Sequence, residues 1–355
     1  MAETRSLLDG VRVRVESGIG RITLDRPAAL NALTTPMVRA IDDTLAAWSG
    51  QGGAVLIDSS SPKAFCAGGD IRAIRENALA GDLSASETFF TTEYTMNTRI
   101  AAYEAPIVSF IDGICMGGGM GLSIHGAFRL VTDKAVLAMP ETAIGFFPDV
   151  GASYFLSRLP GSIGIYLGLT GHRIDAADAL YTGLATHFAA DLTADQVADA
   201  LANSRHDPVD HVLGQLMTRT PVGDSAIATH RGEIDWCFAA RDVEEIKNRL
   251  RHSNTAWCRS TLDELEAASV QSLDVTVALL RWARQNTLRH CLGAELELAR
   301  QITLTDDFIE GVRAALVDKD RQPVWGPSHF LGLDSAGRAR WAEHVDNPLR
   351  EMSTR

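Results

Sequence analysis

The first fifty residues carry two kinds of hydrophobic periodicity. Valines alternate with polar residues near the start of the chain, at Val11, Val13 and Val15. This alternation predicts a strand with one buried face, and a turn at Gly18 and Gly20 leads from it into an apolar stretch over residues 22–25, so the two stretches predict a hairpin. Thr35 and Pro36 then predict the N-cap and first turn of a helix. The apolar residues of that helix share one face: Met37, Ile41, Leu45 and Trp48.

Strands and helices continue to alternate up to about residue 190. Strand patterns occur at residues 54–57, 106–112, 128–132 and 136–139. A helix is predicted to begin at Met120, and this alternation predicts an α/β body. From about Asp191 helical patterns replace the strands, as at residues 242–251, 261–268 and 275–289. We therefore predict a core over residues 1–190 and a mainly helical carboxy-terminal region over residues 191–355.

Two glycine-rich turns each follow a strand-like stretch and precede a helix-like one. They cover residues 65–71 (FCAGGDI) and 113–119 (GICMGGG). Glycine permits a ligand to approach the backbone closely, and the first N–H groups of a helix have no partner inside it. The turns therefore predict two N–H groups that stabilise one developing oxyanion. The alternative, from spacing alone, is a pair of tight strand-to-helix turns without a ligand.

Two carboxylic acids follow the second turn. Glu141 comes directly after Pro140, and Asp149 lies eight residues further along. A carbonyl group polarised by the two turns would have these acids at hand for acid/base or nucleophilic work, which predicts acyl chemistry. From position alone, Glu141 could instead be a solvated surface acid, and Asp149 could be the N-cap of the following helix.

The composition excludes several classes of function. The 355 residues are 46% hydrophobic and 22% charged, as is typical of globular proteins. A net charge of −12 excludes generic nucleic-acid binding and opposes contact with an anionic membrane. Five cysteines without paired spacing predict a reducing compartment. Because the first twenty residues contain no signal core and no apolar run reaches membrane-spanning length, we expect a cytoplasmic enzyme.

Common cofactor and nucleophile motifs do not occur in the sequence. Leu122 stands where a dinucleotide-binding fingerprint needs its last glycine, and no Gly-Lys-Ser/Thr ending of a phosphate loop is present. The Gly-x-Ser-x-Gly elbow of a serine thioesterase is also missing. The ten histidines lack metal-ligand spacing. We therefore expect neither a metal site nor a nucleotide cofactor.

The two turns and the Pro140-Glu141 pair resemble the crotonase (enoyl-CoA hydratase/isomerase) superfamily. The resemblance covers most of residues 11–190. It implies a crotonase-like spiral of repeated ββα units with a helical carboxy-terminal region. It also implies that residues 1–190 form an acyl-CoA-binding and catalytic core, which the carboxy-terminal region completes.

The same resemblance implies which residues contact the substrate. The N–H groups of Gly69 and Gly118 would form the oxyanion hole for an acyl-CoA thioester, with Gly68 beside them. Arg26 would lie in the loop near the CoA moiety. Glu93 would contact the substrate from a neighbouring helix.

One departure narrows the predicted reaction. Typical hydratases of the family carry a second glutamate just after the glycine triplet, where this chain has Gly121. Residues 140–151 resemble instead the hydrolase branch that acts on 3-hydroxyisobutyryl-CoA, and further matches at residues 307–314 and 318–325 extend that similarity. The branch implies hydrolysis of the thioester of 3-hydroxyisobutyryl-CoA, or of a close short 3-hydroxyacyl-CoA, to the free acid and CoA, as in valine catabolism.

The resemblance leaves the catalytic route open. Glu141 would act as a nucleophile through a mixed anhydride or as a general base to water, and Asp149 would orient the substrate hydroxyl or the attacking water. CoA is part of the substrate, so we expect no separate cofactor, and no nucleic acid or membrane partner. Assembly into a homo-oligomer stays open. The alternatives are an enoyl-CoA hydratase or isomerase that uses Glu141 as a proton shuttle, and a noncatalytic acyl-CoA-binding protein.

Overall fold

The computed structural model describes residues 5–204, 206–217 and 222–326. Its strands form a seven-stranded sheet in the order β1-β2-β3-β4-β6-β8-β10 and a three-stranded sheet in the order β5-β7-β9. The strands are β1 (Arg5–Leu8), β2 (Val11–Glu16), β3 (Ile19–Leu24), β4 (Val55–Ser59), β5 (Ala64–Cys66), β6 (Ile107–Ile111), β7 (Ile114–Met116), β8 (Phe128–Val131), β9 (Val136–Ala138) and β10 (His187–Phe188).

Sixteen α-helices lie in the described ranges. They are α1 (Thr35–Trp48), α2 (Ile71–Ala80), α3 (Leu83–Ala101), α4 (Gly118–Ile124), α5 (Ala152–Leu156), α6 (Ile163–Thr170), α7 (Ala176–Thr182), α8 (Ala194–Asn203), α9 (Val209–Leu216), α10 (Ala226–Thr229), α11 (Arg231–Phe238), α12 (Val243–Ser253), α13 (Ala256–Ala267), α14 (Val270–Ala283), α15 (Leu288–Ile302) and α16 (Asp306–Val312). The prediction of one helix over residues 275–289 is wrong. This stretch contains the end of α14, the connection after it and the start of α15. The helix breaks there because the Thr287 side chain accepts a hydrogen bond from the His290 N–H and begins α15.

The strands alternate between the two sheets along the chain. β4, β6 and β8 belong to the larger sheet, and each is followed directly by a strand of the smaller one, β5, β7 and β9. Only the β1–β2 and β2–β3 pairings among these strands are antiparallel. This repetition of paired strands followed by helical segments, with helices α8 to α16 after β10, confirms the predicted α/β class and its helical carboxy-terminal region.

The chain divides into two compact units, each assembled from three stretches. Among the described residues, the first unit contains residues 5–70, 95–138 and the described part of 173–228, and it holds both sheets. The second unit contains residues 71–94, 139–172 and 229–326, and its described elements are helical. The division at residue 190 stays a prediction.

The predicted hairpin lies in the first unit as β2 and β3. Its turn consists of Ser17 and Gly18, both with positive φ (49° and 84°), which suits a two-residue hairpin turn. Gly20 lies inside β3 and not in the turn. The strand needs glycine at this position because a β-carbon would come within 2.4 Å of the Trp48 ring. The N-cap of α1 is Thr34 and not Thr35: the Thr34 side chain accepts from the Met37 N–H.

One face of the larger sheet packs against α8 and α9. The buried side chains at this contact are Ile19, Leu56, Val108, Phe110, Leu130, Val197, Leu201 and Leu213. Each large apolar side chain buried in this way contributes roughly 1.5–3 kcal/mol. The contact therefore holds β4 and β6 firmly, and these strands lead the chain into β5 and β7 and on to the glycine-rich turns.

A cluster of aromatic rings forms part of the core of the second unit. The centroids of Phe146 and Phe147 lie 4.5 Å apart, and Phe90 and Phe308 pack on Phe146 at 5.8 and 5.7 Å. Phe146 and Phe147 stand between Glu141 and Asp149 in the sequence. These acids therefore lie on a segment that is anchored in an apolar, poorly solvated environment.

Candidate active site

The two glycine-rich turns meet within the first unit. β5 and β7 pair in parallel, so the chain leaves both strands at the same edge of the smaller sheet. Gly68, which has a φ of 107°, is so close to the second turn that a β-carbon there would lie 3.3 Å from the Met116 carbonyl oxygen and 3.6 Å from the Gly118 nitrogen. The structure thus brings Gly68 close to Gly118, so the two glycine-rich turns are in contact at this point.

The N–H groups of Gly69 and Gly118 have no acceptor among the residues that the structure describes. The segment around Gly69 is fixed by a short bridge, in which the Leu33 N–H donates to the Gly68 carbonyl and the Asp70 N–H donates to the Leu33 carbonyl, each at 2.8 Å. Gly118 is the first residue of α4. Throughout the described ranges, neither the Gly69 nor the Gly118 N–H donates to a protein acceptor. Their joint action on one oxygen stays a prediction.

Arg26 braces the loop that packs on the first turn. Its guanidinium donates to the Ala32 carbonyl at 2.9 Å and forms an ion pair with Asp70 at 3.1 Å. The buried Asn31 side chain accepts from the Arg26 N–H at 2.8 Å and donates to the Phe65 carbonyl at 2.9 Å. The contacts seen for Arg26 thus support the loop, and its contact with substrate stays a prediction.

The second unit buries the three acids that the sequence analysis selected. Glu93 lies on α3, Glu141 opens a 3₁₀ turn over Glu141–Ile144, and Asp149 precedes α5. They are only 2%, 7% and 6% exposed, respectively. The Tyr94 hydroxyl donates to Asp149 Oδ2 at 2.7 Å. In the part of the chain that the structure describes, the buried atoms Glu93 Oε1 and Glu141 Oε2 have no hydrogen-bond partner.

The burial of these acids changes their proton affinity. Loss of contact with water raises the pKa of Glu141 well above its ordinary value, and the negative charge of Asp149 raises it further. The same two causes raise the pKa of Glu93. Burial raises the pKa of Asp149 to about 7, although the hydrogen bond from Tyr94 opposes the shift. Buried carboxyl groups with raised pKa values are suited to general acid/base chemistry.

The backbone beside Asp149 is strained. Val150 has a φ of 54°, in the left-handed region that β-branched residues avoid, and Gly151 follows with 84°. Such strain costs about 1–3 kcal/mol and clusters at functional sites. The N-cap of α5 is Gly151, with no side-chain cap, so Asp149 is not the helix cap. Since Glu141 is buried, the surface-acid alternative for that residue does not hold either.

Glu295 contacts the segment after Asp149 from α15 and was not predicted as a site residue from the sequence. Glu295 is fully buried and accepts hydrogen bonds from the Gly151 N–H at 2.6 Å and the Ser153 N–H at 3.0 Å. Burial raises its pKa to about 8. The sequence does carry a signal for Glu295, because an acid stands there among apolar residues three and four positions away on the same helix. These residues are buried in the structure: Cys291, Leu292, Leu298 and Ala299.

The buried acids predict that the protein is most stable at mildly acidic pH. Glu93, Glu141, Asp149 and Glu295 keep protons in the folded state at pH values where the unfolded chain has released them, because their folded pKa values are raised. The free energy of unfolding should therefore fall as the pH rises above the ordinary carboxyl range and through the folded pKa values. By calorimetry, we expect Tm to drop by about 5 °C or more between about pH 5 and pH 8. A Tm that is constant or rises across this interval would contradict the burial of these acids.

A cavity of about 610 Å³ lies elsewhere in the first unit, along β2, β3 and β4. Arg14, Arg21, Asp58 and Asp195 line it, and the buried pair of Arg21 and Asp58 is joined at 2.5 Å. None of the predicted site residues lines this cavity. Its guanidinium groups have carboxylate partners, so we describe it as a structural ion-pair cluster.

Three further findings concern membrane spans, metal sites and cysteines. No helix in the described ranges is both long enough and apolar enough to span a membrane. Within the same ranges, no group of three or more histidine, cysteine, aspartate and glutamate side chains is arranged to hold a metal ion. The five cysteines are free and buried.

Solved structures share this architecture. A crystal structure of an enoyl-CoA hydratase from Rhodobacter sphaeroides 2.4.1 is similar to this chain with a TM-score of 0.84 and 36% sequence identity, over 97% of this chain and 98% of that one. Strands that alternate between two sheets, with paired glycine-rich turns at the end of the smaller sheet, define the chain as a protein of the crotonase fold. The enoyl-CoA hydratase/isomerase family model matches residues 19–339. The chain therefore belongs to the enoyl-CoA hydratase/isomerase family.

Two relatives are similar over almost the whole chain. One from Danio rerio, named "3-hydroxyisobutyryl-CoA hydrolase, mitochondrial", is 40% identical over 88% of this chain and 84% of its own length. Another from Arabidopsis thaliana, named "Probable 3-hydroxyisobutyryl-CoA hydrolase 3", is 38% identical over 96% of this chain and 93% of its own length. The predicted membership of the crotonase superfamily is confirmed.

Proposed function

We propose that this chain hydrolyses the thioester of 3-hydroxyisobutyryl-CoA, or of a close short 3-hydroxyacyl-CoA, to the free acid and CoA. The observation that carries the proposal is the burial of Glu141 and Asp149, which raises the pKa of Glu141 well above its ordinary value and the pKa of Asp149 to about 7. These acids occur in a chain that is 38–40% identical to proteins named as hydrolases of this thioester. A carboxyl group with a raised pKa is a stronger base than an ordinary one once it ionises.

In the proposed reaction, the N–H groups of Gly69 and Gly118 hold the thioester oxygen. Negative charge develops on that oxygen as the carbonyl carbon is attacked, and two aligned donors stabilise it. In other enzymes, removal of one such donor costs about 3 kcal/mol or more of transition-state stabilisation. The proposal is supported by the finding that neither N–H has an acceptor in the described chain.

Glu141 supplies the attack by one of two routes. As a nucleophile, its carboxylate bonds to the carbonyl carbon, the C–S bond breaks, and water then cleaves the mixed anhydride. As a general base, it takes a proton from water while the water oxygen bonds to the same carbon. Both routes end with the acid and CoA, whose thiolate takes up the proton that water loses. The routes differ in labelled water: only the anhydride route can place an ¹⁸O atom in the Glu141 carboxyl group.

Asp149 and Glu93 recognise the hydroxyacyl group in this proposal. Asp149 is held by the Tyr94 hydroxyl and can accept a hydrogen bond from the substrate hydroxyl or the attacking water with its remaining lone pairs. Glu93 Oε1 is a buried acceptor that has no partner in the described chain. A substrate hydroxyl would satisfy such an acceptor and remove its desolvation cost.

Hydration or isomerisation of an enoyl-CoA is the second candidate. It is favoured by the similarity to a structure titled as an enoyl-CoA hydratase and by the retention of Glu141, which could shuttle a proton. Gly121 weakens this candidate, because concerted addition of water across a double bond uses two carboxyl groups in the typical hydratases.

A substrate panel separates the two candidates. We expect the purified chain to release thiol from 3-hydroxyisobutyryl-CoA in a colorimetric assay. With crotonyl-CoA and a 3-enoyl-CoA, we expect at most slow release and no change in the ultraviolet absorbance of the double bond. A change in that absorbance without thiol release would support the second candidate and overturn the first.

We further propose that the reaction needs no cofactor apart from the CoA of the substrate and that it takes place in the cytoplasm. The relative from Danio rerio carries the word mitochondrial in its name, so the location is the part of this proposal that is most in need of a test. In fractionated source cells, we expect the activity in the cytoplasmic fraction, and recovery from an organelle would contradict this.

The oligomeric state is a separate question. Light scattering of the pure protein would show whether it forms a homo-oligomer.

A further inference from the structure

Glu295 forms hydrogen bonds with the backbone next to Asp149, one of the acids in the proposed reaction. It is fully buried on α15, and its two carboxylate oxygens receive hydrogen bonds from the segment that follows Asp149. Glu295 Oε2 accepts from the Gly151 N–H, and Glu295 Oε1 accepts from both the N–H and the hydroxyl of Ser153. One side chain therefore fixes the start of α5, at the N-cap Gly151 and at Ser153 in the first turn.

Burial of a carboxylic acid lowers the stability of the folded state, so a purely structural contact would not favour one. Burial raises the pKa of Glu295 to about 8, and the charge of Asp149 adds to the shift, so the protein sacrifices stability to keep the group there. An amide could not replace it. Both oxygens act as acceptors here, whereas glutamine offers one acceptor and would direct its NH₂ group at a backbone or side-chain donor.

The hydrogen bonds of Glu295 hold the backbone next to a strained residue, Val150, which lies between Asp149 and Gly151. Val150 holds a φ of 54°, which it would leave if the following backbone were free to move. The hydrogen bonds from Gly151 and Ser153 to Glu295 fix that backbone at 2.6 and 3.0 Å. From the other side, the Tyr94 hydroxyl fixes the Asp149 carboxylate at 2.7 Å. Asp149 is thus held in one direction by a strained peptide segment anchored at both ends.

We propose that Glu295 is a positioning residue for Asp149: it does not touch substrate, but it anchors the Gly151 and Ser153 amides so that Val150 keeps the Asp149 carboxylate aimed at the reacting group. This inference rests on the role that the proposed function gives to Asp149. Loss of the anchor should release the strain and let the carboxylate rotate away, and misplacement by about 1 Å can cost on the order of 100-fold in rate.

A double-mutant cycle tests this proposal in the full-length chain. We expect Glu295→Gln to lower kcat by about 10- to 100-fold and to change KM by less than about twofold. In the Asp149→Asn background, the same substitution should lower kcat by less than about twofold, because no carboxylate remains to be aimed. Glu297→Gln is the matched control: it neutralises an acid on the same helix that pairs with Arg300, and kcat should not change.

The outcomes separate a positioning role from a structural one. Equal losses of kcat from Glu295→Gln in both backgrounds, or no loss in either, would overturn the proposal. If Glu295→Gln does not fold, Ser153→Ala replaces it, because it removes one of the three donors, and a loss of about 3- to 10-fold that again depends on Asp149 is expected. The cycle is run on whichever reaction of the substrate panel the wild type catalyses. A wild type that releases no thiol would contradict the proposed function, whereas an additive cycle would contradict only the role of Glu295.

Discussion

Replacement of Glu141 by glutamine should lower kcat by at least about 100-fold while a substrate analogue still binds. The amide can neither take a proton from water nor form an anhydride, so both routes proposed for Glu141 are lost. The side chain keeps its size, and Glu141 Oε2 has no partner in the described chain whose hydrogen bond would be broken. Turnover of the thioester and binding of a non-hydrolysable CoA analogue, measured side by side, check this expectation.

The same substitution should make the protein more stable above neutral pH. Burial and the charge of Asp149 oppose ionisation of Glu141, so a neutral amide removes an unfavourable group from the folded state. We expect the Tm of Glu141→Gln to exceed that of the wild type at about pH 8 and the difference to vanish near about pH 4, where both side chains are neutral. Loss of activity together with a higher Tm cannot arise from misfolding. Turnover close to that of the wild type would rule out both routes.

Substitution of Gly119 by alanine should have the second largest effect on kcat. The change acts on a contact within the first unit. Gly119 is the second residue of α4, and a β-carbon there would lie 2.5 Å from the Cys66 carbonyl oxygen and 2.9 Å from the Cys66 β-carbon. Since Cys66 belongs to the first glycine-rich turn and Gly119 to the second, the added methyl group must push the two turns apart. In the proposed mechanism, the Gly69 and Gly118 amides would then no longer point at the same thioester oxygen. We expect kcat to fall by about 100-fold and the free energy of unfolding to fall by about 1–3 kcal/mol.

Gly214→Ala provides the control for this prediction. Gly214 lies on α9 in the same unit, and a β-carbon there would meet open space within 4 Å. Alanine should leave kcat unchanged and stabilise the helix by about 0.5–1 kcal/mol. Kinetics and chemical denaturation of both variants test the pair of expectations. Normal kcat in a folded Gly119→Ala protein would show that the close contact of the turns does not matter for the reaction.

The parts of the fold and site that depend on local sequence were predictable. Alternating valines and a Ser17-Gly18 turn specify the β2–β3 hairpin, because a two-residue turn with positive φ matches the twist of the strands. The glycine-rich turns were recognisable because each follows an apolar strand, and parallel pairing of β5 with β7 then brings them to one edge. The pattern therefore predicted that the two turns could act together, whereas the choice of Gly68, Gly69 and Gly118 within them came from the family resemblance.

Long-range contacts set the rest of the site and were not visible in the sequence. Tyr94 and Asp149 are 55 positions apart, and Glu295 lies 144 positions after Gly151. No periodicity relates such residues, since their contacts depend on how separate helices pack. The raised pKa values have the same origin, because burial is a property of the folded chain. The N-cap of α1 was predicted at Thr35 but lies at Thr34, because either of two adjacent threonines can serve as a cap.

A crystal structure of the Glu141→Gln variant with 3-hydroxyisobutyryl-CoA bound would test the central claim most directly. The account predicts that the thioester oxygen lies about 2.7–3.1 Å from the nitrogens of both Gly69 and Gly118. It also predicts that the residue 141 amide lies within about 3.5 Å of the thioester carbon or of a water poised to attack it. A thioester oxygen bound away from either nitrogen, or a residue 141 side chain directed away from the acyl group, would contradict it.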